Sequence, residues 1–173
     1  MQAATIGFRW AVFALLLMVA AQAPALATGA RLYLSVSFVT VSGLPLSDHA
    51  FDLDQLDLLP QDRIITATPW THGPQSFTGP PLATLAGLEA NRGRRVRAVR
   101  VSSWADWTVT IPASDWERLN VILATRLNGQ TMRVRDKGPY WIMYPIGDTR
   151  DVDTQMYQAR MMWQVKSLEF VVE

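Results

Sequence analysis

Five consecutive residues, Arg135-Asp136-Lys137-Gly138-Pro139, place two cations, a carboxylate and a Gly-Pro pair directly ahead of the aromatic run Tyr140-Trp141-Ile142-Met143-Tyr144. Such a turn gathers hydrogen-bond donors and acceptors at the mouth of a buried strand. Gly138 lets a ligand approach the backbone, and Pro139 opens the strand without needing a donor. The same residues also fit a solvated turn ahead of a core strand. Other chemistry is poorly represented. His49 and His72 are the only histidines and share no ligand spacing, which argues against an imidazole metal site. There is no Gly-x-Ser-x-Gly elbow and no phosphate-cradling glycine loop. Asp148, Asp151 and Asp153 lack the glycine and distal glutamate of a calcium loop and read as a solvated turn.

Cysteine is absent. This removes disulfides, thiolate nucleophiles and every cysteine-ligated metal. The N-terminus has one cation, Arg9, then an apolar run over 10–21 and Ala25-Leu26-Ala27, the pattern of a secretory signal peptide cut after Ala27. The run is shorter than the roughly 20 residues a membrane span needs. The expected product is one periplasmic domain over 28–173, and loss of Arg9 brings the 16 basic residues level with the 15 acidic ones. A neutral chain gives no electrostatic reason to bind nucleic acid or anionic lipid.

The elements that must position these groups are mostly strands. Leu32, Leu34, Val36 and Phe38 alternate with Tyr33, Ser35 and Ser37, predicting a half-buried strand. Asp52 and Gln55 form a capping box for a short helix stopped by Pro60. A second strand is expected over 63–68, running into Pro69-Trp70-Thr71-His72-Gly73-Pro74. Pro81 suits the first position of a helix that turns Leu82, Leu85 and Ala86 inward and ends near Gly87. The basic run over 94–101 reads as an edge strand guarded by arginine, and Trp107, Val109 and Ile111 alternate as another strand. Ser114 and Glu117 predict a second capping box. Residues 121–127 fit strand or buried helix, Asn128-Gly129 marks a tight turn, and a closing strand is expected within 161–172. Many strands and short helices, without a regular strand-helix rhythm, predict an α+β domain.

Four stretches combine into a larger pattern: Thr66-Ala67-Thr68-Pro69-Trp70-Thr71-His72-Gly73, Phe77-Thr78-Gly79-Pro80-Pro81-Leu82, residues 135–145, and Tyr157-Gln158-Ala159-Arg160-Met161-Met162-Trp163-Gln164. Together, over roughly residues 36–172, they resemble the oxidoreductase molybdopterin-binding domain, the catalytic domain of the sulfite oxidase family. They are most similar to its small exported members that consist of this domain alone. The resemblance implies a sulfite-oxidase-type fold of mixed β-sheets and short helices around a pterin-sized pocket. In the enzymes of this family a cysteine thiolate ligates molybdenum, at a place that aligns by eye on or near Thr66. A threonine hydroxyl is a poor substitute for a soft thiolate. The single Arg9 also differs from the twin-arginine signal with which cofactor-loaded enzymes are exported.

Some cysteine-less members of that group resemble periplasmic pterin-binding proteins that act on inner-membrane cyclic-di-GMP enzymes. The resemblance therefore implies a pterin or molybdopterin-like ligand without molybdenum. It also implies, as a possible partner, the periplasmic domain of such an enzyme. The alternative is a small periplasmic molybdopterin-dependent oxidoreductase. Under this resemblance Thr66, Thr68, Trp70 and His72 border the pocket, Trp70, Trp107 and Tyr157 stack on the ring, Arg135, Lys137 and Arg160 donate to it, and the backbone at Gly138 allows close approach. Each has a plain reading too: Trp70 and Trp107 as core, Tyr157 and Trp163 as packing for the last strand, and Arg160 paired with Asp151 or Asp153.

Overall fold

The computed structural model describes residues 32–88, 91–146 and 154–173. The signal-like segment 1–27 and Asp148, Asp151 and Asp153 lie outside the described residues. In chain order the elements are β1 (Leu34–Thr40), β2 (Pro45–Phe51), α1 (Leu53–Asp57), β3 (Asp62–Thr66), β4 (Gln75–Gly79) and α2 (Leu82–Ala86). They continue with β5 (Val96–Ser103), β6 (Thr108–Pro112), α3 (Ala113–Arg118), β7 (Ile122–Ala124), β8 (Arg126–Leu127), β9 (Gln130–Thr131), β10 (Trp141–Met143), α4 (Thr154–Arg160) and β11 (Val165–Val172). The mixture of sheets and short helices is the expected α+β class. Among the described residues no helix is long and apolar enough to cross a membrane.

Strands from opposite ends of the described chain form the main sheet, in the order β2-β1-β11-β5-β6. Alternation in β1 buries Leu34, Val36 and Phe38. Alternation in β11 buries Leu168, Phe170 and Val172 on the same side. The two strands pair in parallel, with Val36 opposite Leu168 and Phe38 opposite Phe170. Parallel neighbours need a crossover, and here nearly the whole domain supplies it. The remaining strands form a four-stranded sheet, β3-β4-β8-β9, and a two-stranded one, β10-β7, whose six residues are all buried. One hydrophobic cluster joins the three sheets, running from Phe38 and Phe170 through Leu82 and Leu85 to Phe77 and Trp141.

Several local expectations hold. Asp52 and Gln55 cap α1 reciprocally, each side chain accepting the other residue's backbone N–H at 2.9 Å. Asn128 (φ 51°) and Gly129 (φ 78°) turn β8 into β9 in the left-handed conformation that a tight hairpin requires.

Others need correction. The basic strand β5 is not an edge: it lies between β11 and β6. Its arginines alternate with buried Val99 and Val101, and Arg97 and Arg100 pair across the exposed face with Glu173 and Glu169. Exposed charge marks a solvent face, whether or not a neighbour pairs with the backbone. Ser114 caps nothing, because β6 runs straight into α3 with Pro112 at the cap and Ser114 inside the helix. Pro81 likewise stands at the cap of α2 and not in its first turn. Pro139 does not open a strand, since β10 begins at Trp141. The exposed strand β2, with its polar centre, and the short β4 lack the apolar alternation by which the other strands are legible.

Candidate functional site

The site grows outward from Trp141. β10 carries this ring into the core, where it is 1% exposed and its indole N–H donates to the Met161 carbonyl at 3.2 Å. Ile142 N–H donates to the Met162 carbonyl at 2.8 Å, and an antiparallel bridge joins Trp141 to Trp163. The stretch 161–163 is thereby held against β10. The Trp163 ring stands at 6.2 Å from Trp141, edge to face.

Trp70 completes the cluster, 5.0 Å from Trp163 and 6.1 Å from Trp141. The loop after β3 holds it through a threonine turn. The Thr68 hydroxyl accepts the Trp70 N–H at 3.2 Å and lies 3.0 Å from the Thr71 hydroxyl. Such side-chain-to-backbone bonds fix a loop that has no ladder to hold it. Opposite, the β5–β6 hairpin presents Trp107, which is 72% exposed. Trp107 N–H donates to the Ser103 hydroxyl at 3.2 Å, and Ser103 N–H donates to the Trp107 carbonyl at 2.9 Å. At the hairpin tip Asp106 takes φ 61° and is tied to Lys166 at 2.5 Å. That contact holds the carboxyl below its ordinary range.

Between these walls lies a cleft of about 360 Å³, lined by Trp70, Trp107, Trp163, Met161, Gln158 and Gln164 among others. It is mostly apolar, and among the described residues no carboxylate lines it. Lys137 stands beside it in the left-handed conformation, φ 69°, with Nζ 5.5 Å from the centre of the Trp163 ring and 5.9 Å from that of Trp141. Gln164 is left-handed as well, φ 53°. Two strained non-glycine residues at one cleft are a pointer to function.

Behind the cleft, α4 is anchored by a buried polar cluster. Asp115, 5% exposed, accepts from the Tyr144 hydroxyl and from Arg160 Nη1, each at 2.7 Å. Burial, with the Asp115 hydrogen bond and charge added, pushes the Tyr144 hydroxyl well above its ordinary pKa, so it stays a donor. Tyr157 packs on Tyr144 with ring centres 4.9 Å apart. The cluster joins α3, α4 and the end of β10, and α4 in turn supplies Gln158 to the cleft wall.

The expected site residues are therefore dispersed. Trp70 and Trp107 line one cleft, Lys137 flanks it, and Thr68 fixes the turn that carries Trp70. Thr66 is 2% exposed, with its hydroxyl turned to the Ala67 carbonyl at 3.4 Å. His72 is exposed, its carbonyl accepting from Gln75, and it does not line the cleft. Arg135 points outward, 73% exposed, with Nε 3.9 Å from an Asp136 oxygen. Gly138 makes a close approach, but to protein: a Cβ there would fall 2.0 Å from the Met132 carbonyl oxygen. Tyr157 is 4% exposed and belongs to the core, so it offers no open face. Arg160 is engaged by Asp115, and its expected partners Asp151 and Asp153 lie outside the described residues. Residue-by-residue reading missed Asp115, Gln158 and Gln164, although the last two fall within the 157–164 motif.

The chain has no cysteine to ligate molybdenum, and Thr66, which the resemblance sets at the thiolate's place, is buried. Among the described residues no three His, Cys, Asp or Glu side chains converge to hold a metal. A flat heterocycle suits the cleft, since indoles form much of its wall and Gln158 and Gln164 add polar groups to it.

No family model and no curated protein matches the chain. Among solved structures it is similar to the crystal structure of the sulfane dehydrogenase SoxCD from Paracoccus pantotrophus, with 16% identity and a TM-score of 0.55. The match covers 82% of this chain and 38% of that one, so the chain spans well under half the length of its neighbour. At this identity the likeness shows the fold alone: an α+β architecture shared, distantly, with part of an oxidoreductase.

Proposed function

We propose that this protein is a periplasmic pterin-binding protein that holds a pterin or molybdopterin-like ring in the tryptophan cleft without molybdenum. Its occupancy would be read by the periplasmic domain of an inner-membrane cyclic-di-GMP enzyme. The carrying observation is the convergence of Trp70, Trp107 and Trp163 on one mostly apolar cleft with Gln158 and Gln164 in its wall. A volume of about 360 Å³ lies at the lower end of the roughly 300–1,000 Å³ usual for small-molecule sites. Each stacked ring contributes about 1–3 kcal/mol if nucleobase stacking is a guide. The resemblance of four sequence motifs to the molybdopterin-binding domain supports the choice of a pterin, and the lack of cysteine supports binding over redox catalysis. The location and the membrane partner rest on that resemblance and on the signal-like segment.

Protein purified from the periplasm should carry, or take up, a pterin detectable by its absorbance and fluorescence, and should lack stoichiometric molybdenum by elemental analysis. Trp70→Ala should weaken pterin binding about 5- to 150-fold by titration calorimetry, with circular dichroism confirming that the domain stays folded. Stoichiometric molybdenum, or no binding across a panel of oxidised and reduced pterins, would overturn the proposal.

A further inference from the structure

Gln164 is held in a backbone conformation that side chains disfavour, and three hydrogen bonds hold it there. Its N–H donates to the Lys137 carbonyl at 3.2 Å, its carbonyl accepts from Trp104 N–H at 2.9 Å, and its Nε2 donates to the Val134 carbonyl at 2.7 Å. A carbonyl only accepts, so the carboxamide orientation is fixed, with nitrogen toward Val134 and Oε1 at the free end. Among the described residues Oε1 has no hydrogen-bond partner, and Gln164 is one of the residues that line the cleft. Lys137, joined to Gln164 by that backbone bond, has no carboxylate partner among the described residues and holds its ammonium over the Trp141 and Trp163 rings. The ammonium already satisfies those π-faces, which disfavours a cationic ligand beside it.

We infer that Gln164 and Lys137 are the specificity-determining pair of the cleft, an acceptor and a cationic donor that read a ring N–H and the adjacent C=O. This rests on the proposal that the cleft holds a flat heterocycle, and it narrows the ligand to lactams. A heterocycle lacking either group leaves a polar atom unpaired in an apolar cleft, and unpaired groups discriminate more strongly than lost contact area.

Three probes separate the two groups: pterin has both, 3-methylpterin lacks the ring N–H, and 4-thiopterin keeps the ring N–H but replaces the carbonyl oxygen with a weakly accepting sulfur. Titration calorimetry on the wild-type protein should show pterin bound about tenfold or more tighter than either analogue. Gln164→Met should bring pterin and 3-methylpterin within about threefold of each other, and Lys137→Met should do the same for pterin and 4-thiopterin. Ratios of affinities cancel any general loosening of the wall, and the wild-type series stands even where a variant fails to fold. Equal binding of all three probes by the wild-type protein would overturn this pair while leaving a pterin cleft intact. So would a preference that survives both substitutions. Binding of none of the three would remove the pterin cleft itself, and the pair with it.

Discussion

In the main sheet, Phe38 on β1 and Phe170 on β11 stack 5.2 Å apart because register places them opposite each other. In the cleft, Trp70 and Trp163 meet at 5.0 Å, each outside a strand and with no ladder to place them. A threonine turn fixes one, and a bridge to β10 fixes the other. The sheet's non-glycine residues keep ordinary strand backbone, and its charges pair one strand over. Around the cleft, Asp106, Lys137 and Gln164 all take positive φ, and Lys137 has no acidic partner among the described residues. Stability is concentrated in the first region, and in the second the chain accepts strain to keep indole faces and polar atoms available. Each prediction below tests that division.

The largest effect is expected from the sheet. Deleting residues 168–173 removes Leu168, Phe170 and Val172, all with 0% exposure, from the strand between β1 and β5. Cooperative thermal unfolding should disappear in calorimetry, because the strand joining the two halves of the sheet is gone. A sharp transition in the truncated protein would mean that the other two sheets fold as an independent unit, and the comparison would break.

Legibility follows the same boundary. Alternation in β1 and β11, the α1 capping box and the Asn128-Gly129 turn are visible in the sequence because local chemistry decides them. Whether β5 is interior or edge was not visible: arginine alternating with valine describes one face of the strand and is silent about its neighbours. At the cleft the structure brings together Trp70, Trp107 and Lys137. It leaves Arg135 exposed and Tyr157 buried, and it holds Arg160 on Asp115, 45 residues away in sequence, a pairing that no local pattern reveals. Gly138 shows the limit well: its smallness was read as space for a ligand, and the Met132 carbonyl takes that space.

A smaller loss is expected where the regions join. Among the described residues Asp115 is the one carboxylate that accepts from both Tyr144 and Arg160, with its side chain 6% and that of Arg160 20% exposed. Asp115→Ala leaves a partly buried guanidinium and a buried phenol unpaired, which should cost about 3–5 kcal/mol in urea denaturation. Loss of that anchor should also loosen α4, so pterin affinity should fall although Asp115 does not line the cleft. A stability loss with unchanged affinity would show that the cleft wall is set independently of the cluster behind it.

The smallest effect should come from the feature most conspicuous in the sequence. Arg100 and Glu169 pair across β5 and β11 with side chains 46% and 37% exposed. Water screens such a pair and two long side chains lose rotamer freedom in forming it, so a double-mutant cycle should give only about 0.2–1 kcal/mol. Roughly 1 M salt, where the Debye length falls to about 3 Å, should reduce even that. Because β5 has a neighbour on each side, Arg100→Ala should also leave the oligomeric state unchanged in light scattering. A strand edge stripped of its guard charge would be expected to associate. A coupling above about 2 kcal/mol, or aggregation of Arg100→Ala, would mean that charge holds this sheet together. The small value instead assigns its stability to buried Val99, Val101, Leu168 and Phe170, and leaves the arginines as the solvated face of a strand whose other face is core.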